Sequence, residues 1–170
     1  QLRLIQKIGV GVNTIDLAAA VNSGVAVCNL PVSNSRAVAE LTLGLMLGCL
    51  RRIGSLDRRI RAGEGWSWPS SWQAGFGELG GRVVGLVGSG GVPRILTPVL
   101  QALGATVIVT SRSRPHEIDA EFVDKDVLLT RSDIVSLHMP LTGQTSGWLD
   151  RRSIAAMKPG AILINTARGG

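Results

Sequence analysis

The residues Gly88-Ser89-Gly90-Gly91-Val92 follow the apolar run Val83–Val87 and precede a helical pattern. A strand, a glycine turn and a helix in that order can cradle a diphosphate. Gly88 permits the tight turn. Gly90 brings bare backbone up to the anion, because a Cβ there would collide with it. The amides of Gly91 and Val92 open the helix and point at the phosphates, reinforced by the helix dipole. Pro93 stands where such loops carry a third glycine. The first helical turn leaves its amide hydrogens unpaired, so a proline is tolerated there. Its ring does put close packing of helix on strand in question. Pro98 falls mid-helix and predicts a kink. The plainer reading is a glycine-rich turn with no ligand; the strand-helix alternation around it argues against that.

The end of the next strand reads Thr110-Ser111-Arg112-Ser113-Arg114-Pro115. About 20 residues past such a loop, NAD binders place a carboxylate on the ribose 2′-hydroxyl. Here two arginines and two serine hydroxyls stand instead. A carboxylate would repel a 2′-phosphate, whereas guanidinium groups pair with it. Ser111, Arg112, Ser113 and Arg114 therefore predict NADP(H), with NAD(H) the alternative. The other reading makes both arginines solvated loop residues.

The chain has 170 residues, 45% hydrophobic and 18% charged, a core-forming composition. No run of about 18 uncharged apolar residues occurs, which excludes a membrane-spanning helix. Basic residues number 18 against 12 acidic, and only Lys7, Lys125 and Lys158 are lysines. No basic block carries interleaved aromatics, so the arginines read as scattered surface charge and no nucleic-acid partner is expected. Cys28 and Cys49 lie apart in apolar contexts and predict buried free thiols in a reducing cytoplasm; no metal-ligand spacing is present.

The elements that must position these residues follow from periodicity. Leu2–Ile8 and Val25–Cys28 read as strands around a short helix, Ile15–Val21. One helix is expected from Asn34 or Ser35 to Arg61. It is apolar nearly all round from Ala37 to Leu50, then turns only Ile53, Leu56 and Ile60 inward. Such a helix belongs either to a subunit interface or to a domain core. Residues 63–81 form a linker whose Trp66, Trp68 and Trp72 are expected to pin it onto apolar surface. Beyond it, strands Val83–Val87, Thr106–Thr110, Glu121–Val123, Ile134–Leu137 and Ala161–Ile164 alternate with helices Val92–Leu103, Lys125–Thr130 and Arg151–Met157. That alternation predicts an α/β fold with right-handed crossovers and a parallel sheet.

Taken together the segments resemble the D-isomer-specific 2-hydroxyacid dehydrogenases. The matching pieces are Ile8–Asp16, Ser35–Glu40, the glycine loop, Ser132–Thr142 and Met157–Gly169. The stretch Thr110–Pro115 is most similar to the glyoxylate/hydroxypyruvate reductase branch, which uses NADP. The resemblance implies a Rossmann-type doubly wound sheet over 34–170, lacking its last strands, and a remnant of a flavodoxin-like substrate domain over 1–33. It implies that Val10 and Gly11 hold the substrate carboxylate. It also implies that Arg168 binds that carboxylate and the carbonyl oxygen, as a guanidinium suits. Thr166 and Ala167 match nicotinamide-side contacts, Pro140 a contact near the adenosine half, and Thr42 a weaker one. A homodimer through the 35–61 helix is the implied assembly.

The family's histidine proton donor and its carboxylate partner lie beyond the matching arginine. His116 and His138 match neither position, so the sequence as it stands is expected to bind nucleotide without turning over. The implied reaction is hydride transfer between NADPH and a 2-oxo or D-2-hydroxy acid such as glyoxylate or hydroxypyruvate. Two alternatives remain: a phosphoglycerate dehydrogenase-like enzyme, and a nucleotide-sensing protein like the corepressors similar to this family. The sheet edge at Ala161–Ile164 is expected to be open.

Overall fold

The computed structural model describes residues 1–65 and 77–169. The expected anchoring by Trp66, Trp68 and Trp72 falls outside the described residues. Two sheets are present, and every pairing in them is parallel. The first joins β1 (Leu4–Gln6) to β2 (Ala26–Cys28) around α1 (Leu17–Asn22). Asp16 caps α1, accepting from the Ala19 amide at 2.9 Å.

The second sheet holds β3 (Val83–Val87), β4 (Thr106–Thr110), β5 (Glu121–Phe122), β6 (Ile134–Leu137) and β7 (Ile162–Asn165). Their order is β5-β4-β3-β6-β7. The chain leaves β3 in one direction through β4 and β5, then returns to β3's other side as β6. That reversal makes the carboxyl end of β3 a topological switch point, where open α/β sheets bind ligands.

The central strands β3, β4 and β6 are buried on both faces, and the alternation along the sheet splits the core in two. Val84, Leu86, Val107, Val109, Ile134 and Ile164 face a layer containing Ala39, Met46, Leu96 and Leu100. Val87, Ile108, Val135 and Leu137 face Leu128 and Leu129 on the other side. The first layer is α2 (Ser35–Leu50) and α4 (Gly91–Ala102), which pack on each other; the second is α5 (Lys125–Arg131) with α6 (Arg151–Ala156). Gly85 is required beneath α5, since a Cβ there would lie 2.8 Å from Leu128 Cγ. Asp133 ties the amino ends of the strands together: it accepts from the Val83 amide at 2.8 Å and from Lys158 Nζ at 2.9 Å.

Three expectations are corrected. The single helix over 35–61 is two, α2 and α3 (Ile53–Arg61), separated at Arg52, which adopts φ 52°. The break lets α2 keep Met46 and Leu50 in the core while the arginine-rich segment turns away. Secondly, α3 buries none of its residues: Ile53 and Ile60 are each more than half exposed. Finally, both cysteines are free, as expected, but exposed. Cys28 lies on the outer face of β2, where only Val27 turns inward, and Cys49 on the outer side of α2. The helix α2 meets the sheet with one side and leaves Leu41 and Leu45 open, which agrees with either place expected for it.

Pro93 does not prevent helix packing. It is buried, and α4 begins two residues before it with Gly90 as its N-cap. The Thr97 hydroxyl donates to the Pro93 carbonyl at 2.8 Å. Pro98 lies inside α4, on its exposed side. Among the described residues β7 is an edge of the sheet, with Leu163 40% exposed.

Candidate functional site

The glycine loop crosses the switch point. Gly88 has φ +110°, and a Cβ there would lie 2.7 Å from the His138 carbonyl oxygen. Its conformation and its clearance both demand glycine. A Cβ on Gly91 would run into the Ser35 hydroxyl at the start of α2. Gly90 differs from both: nothing lies within 4 Å of where its Cβ would be. The first backbone bond of α4 runs from the Arg94 amide to the Gly90 carbonyl at 3.2 Å. The amides of Gly91 and Val92 precede it in the first turn, and Pro93 contributes none. The loop thus offers open space at Gly90 and two backbone donors at a helix N-terminus, the donor set that suits a diphosphate.

The loop after β4 folds against this turn. Ser89 Oγ and Ser113 Oγ are 3.1 Å apart, and the Ser111 hydroxyl donates to the Ser113 carbonyl. Arg112 Nη1 donates to Gln144 Oε1 at 3.2 Å, and Arg114 lies 6.0 Å from the centroid of the Phe122 ring. Among the described residues neither arginine meets a carboxylate. Arg94, nearby, is taken by Glu117 at 3.3 Å.

Across the cleft, the turn after β7 is built by Asn165. Its Oδ1 accepts from the Ala167 amide at 3.0 Å, and its Nδ2 donates to the Arg168 carbonyl at 3.1 Å. Thr166 Oγ1 lies 3.0 Å from Thr42 Oγ1, which is fully buried and donates to the Val38 carbonyl. Thr42 is thus not itself open to a ligand. Arg168 reaches across to the first sheet: a Cβ on Gly11 would lie 2.9 Å from Arg168 Nη2. The Val10 carbonyl is held by Asn29 Nδ2 at 2.8 Å. The guanidinium and the Val10–Gly11 backbone therefore meet, although 157 positions separate Gly11 from Arg168 in the chain.

A cavity of about 140 Å³ opens beside this cleft, lined by Pro140, Leu141, Trp148, Asn165, Ala167 and Arg168 among others. None of its lining comes from the glycine loop. His138 closes the floor between β3 and β6: its amide donates to the Val87 carbonyl at 2.8 Å, and Nε2 lies 2.9 Å from Ser136 Oγ. Burial pushes its pKa down to about 4, so the imidazole is neutral near pH 7. His116 is exposed, with Nδ1 3.7 Å from Glu117 Oε2.

The glycines and the serine-arginine loop are legible from motif and spacing, and the 166–168 turn from the family resemblance. Motif reading passed over Ser89, Gln144, Asn29 and Asn165. Asn165 and Asn29 carry the signal of asparagines beside tight turns, where the side chain can bond to nearby backbone. Gln144 carries none, because its partner lies 32 positions away.

Residues 43–170 match the family described as D-isomer specific 2-hydroxyacid dehydrogenase, NAD binding domain, and the chain belongs to that family. Among known proteins it is similar to a hydroxypyruvate reductase of Thermotoga maritima, 38% identical over 170 residues, covering 99% of this chain and 54% of that one. It is 36% identical over 174 residues to a D-3-phosphoglycerate dehydrogenase of Mycobacterium tuberculosis, covering 100% of this chain and 32% of that one. The D-lactate dehydrogenase of Aquifex aeolicus, solved with NAD and lactic acid, superposes with a TM-score of 0.91 at 29% identity, covering 99% of this chain and 50% of that one. The chain spans about half the length of the hydroxypyruvate reductase, and a third of the phosphoglycerate dehydrogenase. The five-stranded parallel sheet is accordingly the Rossmann-like nucleotide domain of this family.

Proposed function

We propose that the protein is an NADP(H)-dependent oxidoreductase acting on a small 2-oxo or D-2-hydroxy acid, such as glyoxylate or hydroxypyruvate. The observation that carries the cofactor choice is the end of β4, where Arg112 and Arg114 offer guanidinium groups that no carboxylate among the described residues neutralises. The amides of Gly91 and Val92 would hold the diphosphate, with Gly88 and Gly90 giving it room. Ser111 and Ser113 would flank the 2′-phosphate. Pro140 would border the adenosine half, and Thr166 and Ala167 the nicotinamide.

When bound, the nicotinamide supplies the hydride. The chain's own residues do the rest that lies within reach. The Val10 and Gly11 backbone would hold the substrate carboxylate. Arg168, facing Gly11, would bind the carboxylate and the carbonyl oxygen and stabilise the charge growing there. His138, buried and neutral, is not the proton donor. We assign 1–33 to a substrate-binding domain and 34–170 to the nucleotide domain. The open apolar side chains of α2 and α3, Leu41, Leu45, Ile53 and Ile60, support a homodimer through this face. The two exposed free thiols fit a reducing compartment, the cytoplasm.

A phosphoglycerate dehydrogenase-like activity is the second reading, favoured by the similarity to the M. tuberculosis enzyme. Titration of the chain with NADPH and with NADH, followed by tryptophan fluorescence, tests the cofactor choice. NADPH is expected to bind at least tenfold more tightly; a tenfold preference for NADH would refute it. In the full-length protein, turnover of glyoxylate and hydroxypyruvate against 3-phosphoglycerate separates the two substrate readings.

A further inference from the structure

Strands β4 and β6 lie on either side of β3, so the loops that follow them flank the mouth of the nucleotide cleft. One side-chain hydrogen bond spans that mouth, from Arg112 Nη1 to Gln144 Oε1 at 3.2 Å. Each partner is held from its own side. The Arg112 loop is folded by Ser111 onto the Ser113 carbonyl and docked on the phosphate turn by the Ser89–Ser113 hydroxyl pair. The Gln144 loop is pinned by Thr145, whose hydroxyl accepts from the Thr142 amide at 2.8 Å and donates to the Pro140 carbonyl at 2.5 Å.

Two properties of the bridge matter. Its acceptor is a neutral amide oxygen, so the guanidinium keeps its full charge. Both side chains are exposed, so the bond can be exchanged at little cost. A phosphate offers a guanidinium the attraction of an opposite charge and a bidentate geometry, neither of which a neutral amide oxygen supplies. A phosphate oxygen arriving at the ribose would therefore displace the amide, whereas a bare 2′-hydroxyl would not.

We propose that Gln144 sets the cofactor preference by being uncharged, not by the strength of its bond to Arg112. It holds the Arg112 guanidinium across the adenosine end of the cleft without neutralising it, and gives it up to a 2′-phosphate when one enters. This inference rests on the cofactor reading above. A glutamate of the same shape at position 144 would form a charge-assisted pair with Arg112 and compete with the phosphate.

The test is to titrate the chain and its Gln144→Glu, Gln144→Ala and Arg112→Ala variants with NADPH and with NADH, after checking that all four unfold at the same temperature. Gln144→Glu is expected to weaken NADPH binding at least tenfold and to leave NADH within threefold. Gln144→Ala is expected to keep the NADPH preference within threefold, because the exchanged partner is dispensable. Arg112→Ala is expected to abolish the preference. If Arg112→Ala abolishes it and Gln144→Glu does not change it, the role of Gln144 is overturned while the cofactor reading stands. Loss of preference in Gln144→Ala would also overturn the exchange. If the unaltered chain shows no NADPH preference and Arg112→Ala changes nothing, the cofactor reading falls and the inference with it.

Discussion

The two ends of the central sheet treat charge in opposite ways. At the amino end, Asp133 is bound by the Val83 amide and by Lys158, and Glu121 by both terminal nitrogens of Arg131 at 2.8 Å each. At the carboxyl end, Arg112, Arg114 and Arg168 meet amides, a ring and a carbonyl, but no carboxylate among the described residues. Paired charges there would already be satisfied; unpaired ones, standing on two loops at that end of the sheet, can bind an incoming anion. The comparison teaches that in this fold the chemistry is marked less by which residues are charged than by which charges are left over.

Arg168 gives the largest expected effect. In the full-length protein, Arg168→Ala should lower turnover of a 2-oxo acid by about a thousandfold, the scale of losing a preorganised donor at a developing oxyanion. NADPH affinity should stay within threefold. Steady-state kinetics beside a fluorescence titration would separate the two, and turnover within tenfold of the unaltered protein would remove Arg168 from the reaction.

His138 sharpens the comparison from the other side, being an ionisable group at the carboxyl end that serves structure. Its folded pKa of about 4 lies below the ordinary 6.5 because burial penalises the charged ring. Between those values the unfolded chain binds the extra proton, so stability is complete above about pH 6.5 and is lost as pH falls toward 4. The full shift corresponds to at most about 3 kcal/mol. Denaturant midpoints at pH 7 and pH 4.5 should differ clearly, and His138→Gln should remove most of that difference. An unchanged difference in the variant would show that His138 does not set it.

Much of this was legible before any coordinates. The apolar runs at Val83, Thr106 and Ile134 name the central strands, because a strand buried on both faces needs no polar alternation. The glycine loop was legible because its backbone must do what side chains cannot. The break at Arg52 was not: an arginine in the left-handed region carries no glycine or proline signal. The exposure of Cys49 was hidden for a related reason. In a helix apolar nearly all round, the sequence does not say which side the sheet will take. The meeting of Gly11 with Arg168, and of Arg112 with Gln144, comes from long-range topology; the first was implied by the resemblance, and the second by nothing local.

The glycines break the carboxyl end into binding and folding parts. Gly90→Val adds a side chain where nothing lies within 4 Å, so the unfolding temperature should hardly move. Its branches would fill the space left for the diphosphate, and NADPH and NADH should both bind at least tenfold more weakly. Gly88→Ala puts a Cβ 2.7 Å from a carbonyl oxygen at φ +110° and should lower stability itself. If Gly90→Val binds both nucleotides normally, the loop is a turn and not a cradle.

The smallest effect belongs to the paired end. In Asp133→Asn the Val83 amide can keep an oxygen acceptor, and Lys158, partly exposed, returns its charge to water. The loss is expected to be about 1 kcal/mol, nearer a hydrogen bond than a buried charge. Burial works to raise the Asp133 pKa, but the Val83 amide and Lys158 outweigh it and hold it below its ordinary 3.8. Its stabilisation is present above that value and is lost as pH falls below it, a window distinct from that of His138. The variant should therefore lose stability at pH 7, flatten the steepest acid limb, and bind both nucleotides as the unaltered chain does. A change in nucleotide affinity would mean that the two ends of the sheet are coupled and that the division between paired and unpaired charge does not hold.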